Sequence, residues 1–456
     1  RIWRDPDGSM MAAFRNPEQN AIGRTTQFRV EQDGDTLHFT AQPDVRIDAT
    51  VSGDGIAVHW PPIDRTIELT RRSVPTVAKY VYRKPPGTGD GWTTARAKDA
   101  GMDEAALERI VQRLLDSDPF ARRPVLVHSL LIARRGKLVL EEYFHGHGRD
   151  EPHDLRSAGK TFASVMLGAA MHRGTHVAPD TGIYDILAGM GPFANPDPRK
   201  SQITLAQLMT HTSGLACDDN DDASPGNENA MQSQSKQPDW WKYTLDLPLV
   251  HDPGTRYAYC SGGMNLVAAA LTTATHTWLP EYFERTIAGP LGFGPHYWNL
   301  MPDGEGYLGG GAYVRPRDLL KVGQLYLDGG VWRGKRIVAR SWVTQSTQPR
   351  VHISPATTGM TPEQFSNSYI EADDAYAWHL SALHDYAASG NGGQLLIVVP
   401  DYDLVVVFTA GNYGQGGIWT KFRSEIVPRE ILPAIRKRPS SAFGTFSPLR
   451  GAKEDR

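Results

Sequence analysis

The chain has 456 residues, 40% hydrophobic and 22% charged, a globular composition long enough for two domains. Its net charge of -3 argues against a broad basic surface for nucleic acid or anionic membrane, and no apolar run reaches membrane-spanning length. The two cysteines, Cys217 and Cys260, exclude a disulfide framework or a four-cysteine zinc site. They fit either one bridge in an oxidising compartment or two buried thiols.

Residues 1 to about 75 read as β. The runs Thr26 to Glu31, Leu37 to Ala41, Val45 to Val51, Gly55 to Trp60 and Thr66 to Thr70 alternate apolar and polar residues. Asp33-Gly34 and Asp54-Gly55 read as hairpin turns between them. This predicts an antiparallel meander or small partial barrel with an accessory role. The Pro/Gly-rich stretch Lys84 to Gly91 marks the boundary, giving residues 1–90 as accessory domain and linker and 91–456 as a second domain.

In the second domain, Met102 to Asp116 has the period of an amphipathic helix, with Leu107, Ile110, Val111 and Leu114 as its apolar stripe. A hairpin, Val125 to Ala133 and Lys137 to Phe144, turns at Arg134 to Gly136. The next helix has a core face of Phe162, Val165, Met166, Ala169 and Ala170, and Gly174 ends it. From about 175 to 300 the chain is loop-rich with helical pieces such as Thr204 to His211 and Gly263 to Thr275. Strands return at Gln394 to Val399 and Asp403 to Thr409, a helical segment starts near Gly417, and Pro439 to Arg456 reads as a loose tail. The pattern is α+β, with the helices of the chain ends packed on one antiparallel sheet.

Three segments carry chemistry. Ser157 and Lys160 lie three apart at the start of the second helix, so they share a face. A serine hydroxyl is a weak nucleophile until a base takes its proton, and a lysine does this when burial lowers its proton affinity. Free N–H groups in a first helical turn suit an oxyanion. The spacing recurs at Ser233 and Lys236, in the polar stretch Met231 to Pro238 that reads as loop, and about one such pair is expected by chance. The second segment, Asp252 to Asn265, runs from a Pro-Gly turn through Tyr259 and Ser261 into an apolar helix. The third, Ala388 to Gln394, is glycine-rich just before a strand, where glycine permits close approach of a ligand.

Other signals carry little. Gly304 to Gly309 fits a dinucleotide-binding pattern, but no strand precedes it. No G-x-S-x-G elbow and no H-E-x-x-H pair occurs. Asp218 to Asp222 lacks the glycine and glutamate of a calcium loop and reads as solvated. His145 and His147 sit in a Gly-rich turn where exposure is the ordinary outcome, and no metal site is expected. Trp240, Trp241 and Tyr243 fit a cleft lining or core packing.

From about 100 to 436 the landmarks resemble the serine β-lactamase and penicillin-binding-protein superfamily, and more narrowly its class C-like esterases and 6-aminohexanoate-dimer hydrolases. They are Ser157 to Lys160, Leu208 to Leu215, Pro253-Gly254 with Tyr257 to Ser261, and Gly309 to Gly311 with Arg317 to Leu319. Gly323 to Gly330 and Gly392 to Gln394 with Val398 to Pro400 complete an ordered set. The resemblance implies an antiparallel sheet flanked by helices, with an all-helical subdomain at about 175–300. It implies Ser157 as acylated nucleophile, Lys160 as proton acceptor or relay, and Tyr259 as second general acid/base. It further implies an oxyanion hole from the N–H of Ser157 and one near Asn391, with Gly390 and Ser261 beside the substrate. Ser261 stands where β-lactamases carry asparagine, and Ala388 to Gly390 where they carry K-T-G. Loss of that lysine removes a charge-assisted partner worth about 1.5–3 kcal/mol to a substrate carboxylate. The expectation is a serine hydrolase of neutral esters or amides, without cofactor or metal, periplasmic or secreted by resemblance. The alternatives are a true β-lactamase or D-alanyl carboxypeptidase, and a non-catalytic penicillin-binding-like sensor.

Overall fold

Period-two alternation at the N-terminus builds a seven-stranded antiparallel meander in simple chain order. Its strands are Ile2–Arg4, Met10–Ala13, Gln27–Asp33, Thr36–Gln42, Val45–Ser52, Gly55–Trp60 and Arg65–Thr70. The computed structural model describes residues 2–13, 27–42, 45–61, 64–71, 78–117, 124–366 and 373–436, so the expected tail from Pro439 lies outside the described residues. Phe28, Val30, Leu37, Phe39, Ile47, Ala49 and Val58 point to one face and form a small core of their own. The two hairpin turns sit one residue away from the expected dipeptides. They are Gly34-Asp35 and Gly53-Asp54, with φ of 57° and 59° at the glycines. Glycine at the first central position is what a type II′ turn requires.

The second domain is built on a nine-stranded sheet. Its order runs Val351–His352, Asp373–Asp374, His379–Leu380, Tyr386–Gly390, Gln394–Val399, Leu404–Ala410, Val127–Arg134, Lys137–Tyr143, Thr93–Thr94. All neighbours are antiparallel except the last pair. The hairpin between Val127–Arg134 and Lys137–Tyr143 closes through Arg135 and Gly136 at φ of 51° and 67°, the pair of positive values a type I′ turn needs. Strands from the two ends of the domain meet at the centre, where Leu404 pairs with Arg134 and Phe408 with Leu130.

The central strands are buried along their whole length because helices cover both faces. On one face Leu130, Ile132, Ile397, Val406 and Phe408 meet Leu107, Ile110, Val111 and Leu114 of helix Glu104–Leu115 and Phe422, Ile426 and Val427 near the C-terminus. Asp103 caps that first helix by accepting from the N–H groups of Ala105 and Ala106. On the other face Leu131, Ala133, Leu396 and Val405 meet helices Thr161–His172 and Pro316–Leu327. The helical middle contains Leu205–Met209, Glu228–Ser233, Trp240–Leu245 and Ser261–Thr275. One expectation changes here, and one open reading is decided. Ser233 closes a helix rather than sitting in a loop, with its hydroxyl donating to the Asn229 carbonyl. Trp240 and Trp241 are buried in the core cluster.

The stretch Lys84 to Gly91 is held by ion pairs. Arg317, 1% exposed at its side chain, donates to both carboxylate oxygens of Asp90 at 2.6 and 3.1 Å, to Glu141 at 2.5 Å and to the Pro86 carbonyl at 3.4 Å. Burial pushes Asp90 up, but the Arg317 hydrogen bonds and charge overcome it and hold its carboxyl well below the usual range. Next to it Asp318 joins Arg315 at 2.6 Å and Lys321 at 2.8 Å. The Arg317 to Leu319 landmark is therefore a structural clasp. Without Arg317, Asp90 keeps the cation of Lys321 at 3.7 Å and Glu141 that of Arg149 at 2.6 Å. Arg317→Gln, which breaks a buried pair, should lower stability by about 3–5 kcal/mol, measured by chemical denaturation. A loss below about 1 kcal/mol would contradict this role.

Candidate active site

Ser157 lies on a tight 3-10 segment, Arg156–Lys160, that precedes helix Thr161–His172. The helix was expected to open at the serine itself. The tighter turn suits the pair better, because side chains three apart eclipse one another at three residues per turn. Lys160 Nζ stands 3.1 Å from Ser157 Oγ. The turn is entered through Arg156, whose φ of 48° is left-handed for a non-glycine residue, a local strain of the kind that collects at functional sites. Asp154 holds it there, accepting the Arg156 N–H at 2.9 Å and pairing with its guanidinium at 2.9 Å.

Lys160 is 4% exposed and also donates to the Gly309 carbonyl. Asn265, in helix Ser261–Thr275, fixes Gly309 by accepting its N–H at 2.8 Å. The Gly309 to Gly311 landmark thus supplies an acceptor for the lysine. The third expected group, the Tyr259 hydroxyl, stands close enough to Ser157 and Lys160 for both to pull its pKa down. The lysine nitrogen lies 5.0 Å from the centre of the tyrosine ring.

Tyr259 is positioned from behind by His211, whose ring is 4.4 Å away and whose Nδ1 accepts the Cys260 N–H at 3.1 Å. Burial pushes His211 down to about 3, so it is a neutral acceptor at ordinary pH. Cys260 is bridged to Cys217, which resolves the two readings left open for these residues. The bridge draws the loop after Cys217 against the tyrosine.

Asp219 in that loop was read as solvated; it turns inward instead. Its carboxylate accepts the Ser261 N–H at 2.8 Å and the Ser261 hydroxyl at 2.7 Å on one oxygen, and the Glu228 N–H at 2.8 Å on the other. It therefore serves the N-terminal ends of two helices at once, where an anion is favoured. Burial raises Asp219 to about 6 against the opposing pull of Lys160 and Ser261. Glu228 beside it accepts from the Tyr307 hydroxyl. Only the acidity of residues 218–222 hinted at this role, and the pairing of Cys217 with Cys260 explains it.

The remaining site candidates divide. Ser261 is fully buried and committed to Asp219, so it supports the site rather than lining the cleft. Gly390 ends strand Tyr386–Gly390 hard against the Ser157 turn. A Cβ there would lie 2.3 Å from the Leu155 carbonyl oxygen and 3.0 Å from the Ala158 nitrogen, so only glycine fits. Asn391 follows it in an exposed position, its side chain accepting the Gly414 N–H at 2.8 Å.

The electrostatics reverse one premise. Burial alone pulls Lys160 down, but Tyr259, Glu228 and Asp219 outweigh it and set the amine above an ordinary lysine. Burial raises Tyr259 as well, with Lys160 and the Ser157 hydrogen bond opposing in part. Both groups hold their protons at neutral pH, and one proton must leave the pair before it can act as a base.

The sequence profile of the family described as Beta-lactamase matches residues 107–416. The 6-aminohexanoate-dimer hydrolase of Paenarthrobacter ureafaciens is 26% identical over 288 residues, 60% of this chain and 70% of that one. A solved Bacillus anthracis structure assigned as a 6-aminohexanoate-dimer hydrolase superposes with a TM-score of 0.55 at 18% identity, covering 68% of this chain and 81% of that one. A family VIII carboxylesterase structure superposes at 0.52 and 15% identity, covering 73% and 98%. The structural likenesses show the shared fold.

A titration of the site has a fixed sign. Asp219 raises both Lys160 and Tyr259, so Asp219→Asn should move the alkaline rising limb of the kcat/KM profile to lower pH, whichever of the two is the base. The check is a pH–rate profile of both proteins, with matched melting curves to confirm folding. A limb that stays put or moves upward would remove Asp219 from the electrostatics of the pair.

Proposed function

The chain belongs to the beta-lactamase family, and from this membership and its site geometry we propose a serine hydrolase that cleaves esters or amides through a Ser157 acyl-enzyme. The observation that carries the reading is the contact of Lys160 Nζ with Ser157 Oγ at 3.1 Å, with the Tyr259 ring 5.0 Å from the lysine nitrogen. Ser157 Oγ attacks the substrate carbonyl carbon while its proton passes to the Lys160–Tyr259 pair. The pair returns that proton to the departing alcohol or amine. Water then attacks the acyl carbon and gives a proton to the same pair, which passes it to Ser157 Oγ as the acyl–oxygen bond breaks and the acid leaves. The N–H of Ser157 and one from the turn at Asn391 take the oxyanion, with Gly390 setting the distance between the strand end and the serine.

Neutral substrates fit best. Ala388 to Gly390 offer no cation to a substrate carboxylate, and the carboxylates of Asp219 and Glu228 act on Lys160 from the other side. An oxidising compartment, the periplasm or the exterior, is part of this proposal and is supported by the Cys217–Cys260 bridge.

A fluorophosphonate probe with mass mapping should label Ser157, and Lys160→Ala should slow labelling by about 10²–10⁴-fold, the usual worth of a general base. No labelling of folded protein would leave the non-catalytic sensor reading. Short p-nitrophenyl esters and amide dimers should turn over faster than a chromogenic cephalosporin. Rapid cephalosporin hydrolysis would instead support a true β-lactamase.

A further inference from the structure

Outside the catalytic cleft, three histidines from separate segments meet in one place. His128 lies on the central strand Val127–Arg134, His147 in the turn after Lys137–Tyr143, and His153 on the short strand His153–Asp154. His147, expected to be exposed, stacks instead on His128 with ring centres 3.8 Å apart. One ring nitrogen from each imidazole lies within 4.8 Å of the others, the one group of three or more His, Cys, Asp or Glu arranged this way among the described residues. The closest pair, His128 Nδ1 and His153 Nε2, is 2.8 Å apart.

We propose that His128, His147 and His153 bind a divalent transition-metal ion of the zinc type, tying the loop that enters the nucleophile turn to the central sheet. Imidazole nitrogens suit this class of ion, and tetrahedral ligands at the usual Zn–N length stand about 3.3 Å apart. The cluster reaches that spacing by opening the 2.8 Å pair slightly and closing the third nitrogen inward, with a tilt of the stacked rings.

The surroundings have the form of a metal site's outer shell. His153 Nδ1 lies 3.1 Å from the Asp154 carbonyl, which only accepts, so the proton sits there and Nε2 keeps its lone pair. The Glu151 carboxylate stands 3.4 Å from His147 Nδ1, the place of an acid that orients a ligating imidazole through its far nitrogen. In the ion-free state His128 Nδ1 donates to His153 Nε2. On binding, that proton moves to His128 Nε2, and both lone pairs face the ion with no net proton released. Three imidazoles leave a fourth position for water, and His147, with 20% side-chain exposure, gives the ion a way in.

The position gives the site a consequence for the fold. His153 is four residues before Ser157, and the chain between them carries Asp154 and the left-handed Arg156. An ion here fixes the start of that segment to a strand buried along its whole length.

Tag-free full-length protein, stripped with chelator and titrated with Co²⁺, tests this. One equivalent should bind with the visible absorption of low-coordinate Co²⁺, be displaced by Zn²⁺, and raise the melting midpoint. His147→Ala, at the most accessible ligand, should weaken Co²⁺ binding at least about tenfold, and Glu151→Gln should weaken it about 10–100-fold by loss of the orienting carboxylate. His153→Gln should abolish the absorption bands. The readout needs no substrate, so it stands apart from the hydrolase proposal. Absence of a stoichiometric, absorbing complex, or affinity unchanged in folded His147→Ala, overturns the site.

Discussion

A lysine ammonium withdrawn from water needs negative partners close by, and the candidate active site is arranged to meet that need for Lys160. The Gly309 carbonyl, the Ser157 oxygen, the Tyr259 hydroxyl and the carboxylates of Asp219 and Glu228 all act on it. Each comes from a different part of the chain, so the order of the subdomain follows from satisfying one buried charge. Asp219 repeats the theme at the next layer. It is raised by its own burial, held by the starts of two helices, and set beside the lysine whose proton affinity it lifts.

The Cys217–Cys260 bridge makes this arrangement coherent. It joins the residue two before Asp219 to the residue between Tyr259 and Ser261. The acid, the tyrosine and the start of the Ser261 helix are then one unit, with His211 behind it. Hydrogen bonds alone would place these groups, and the bridge narrows the unfolded alternatives from which they must assemble.

The elements that were legible in the sequence have strong local signals. Helix Glu104–Leu115, the type I′ hairpin and the strands Gln394–Val399 and Leu404–Ala410 follow from period, cap and turn residues. Ser157, Lys160 and Tyr259 were legible as a family pattern, and the fold brings them together. What escaped depends on contacts across the chain. An acidic run looks the same whether solvated or turned inward, and only the bridge distinguishes Asp219. Ser261 sits where a substrate contact was expected, but its hydroxyl is taken by that hidden acid. His147 lies in a turn whose composition says exposure, and the neighbouring His128 is supplied by a strand nearly twenty residues earlier. A 3-10 turn in place of the first helical turn is likewise decided by the strained Arg156 and its Asp154 partner.

The clasp on residues 84–91 bears on where one domain ends and the next begins. Tyr80 donates to Glu142, Tyr82 to the Val139 carbonyl, Trp92 to the Arg317 carbonyl, and Asp90 accepts from Nε and Nη2 of Arg317. A stretch that reads as a mere connector is a load on the second domain's own core. The N-terminal sheet has a core of its own instead. The contacts of Tyr80, Tyr82 and Asp90 tie this stretch to the nine-stranded sheet and its helices rather than to the sheet that precedes it.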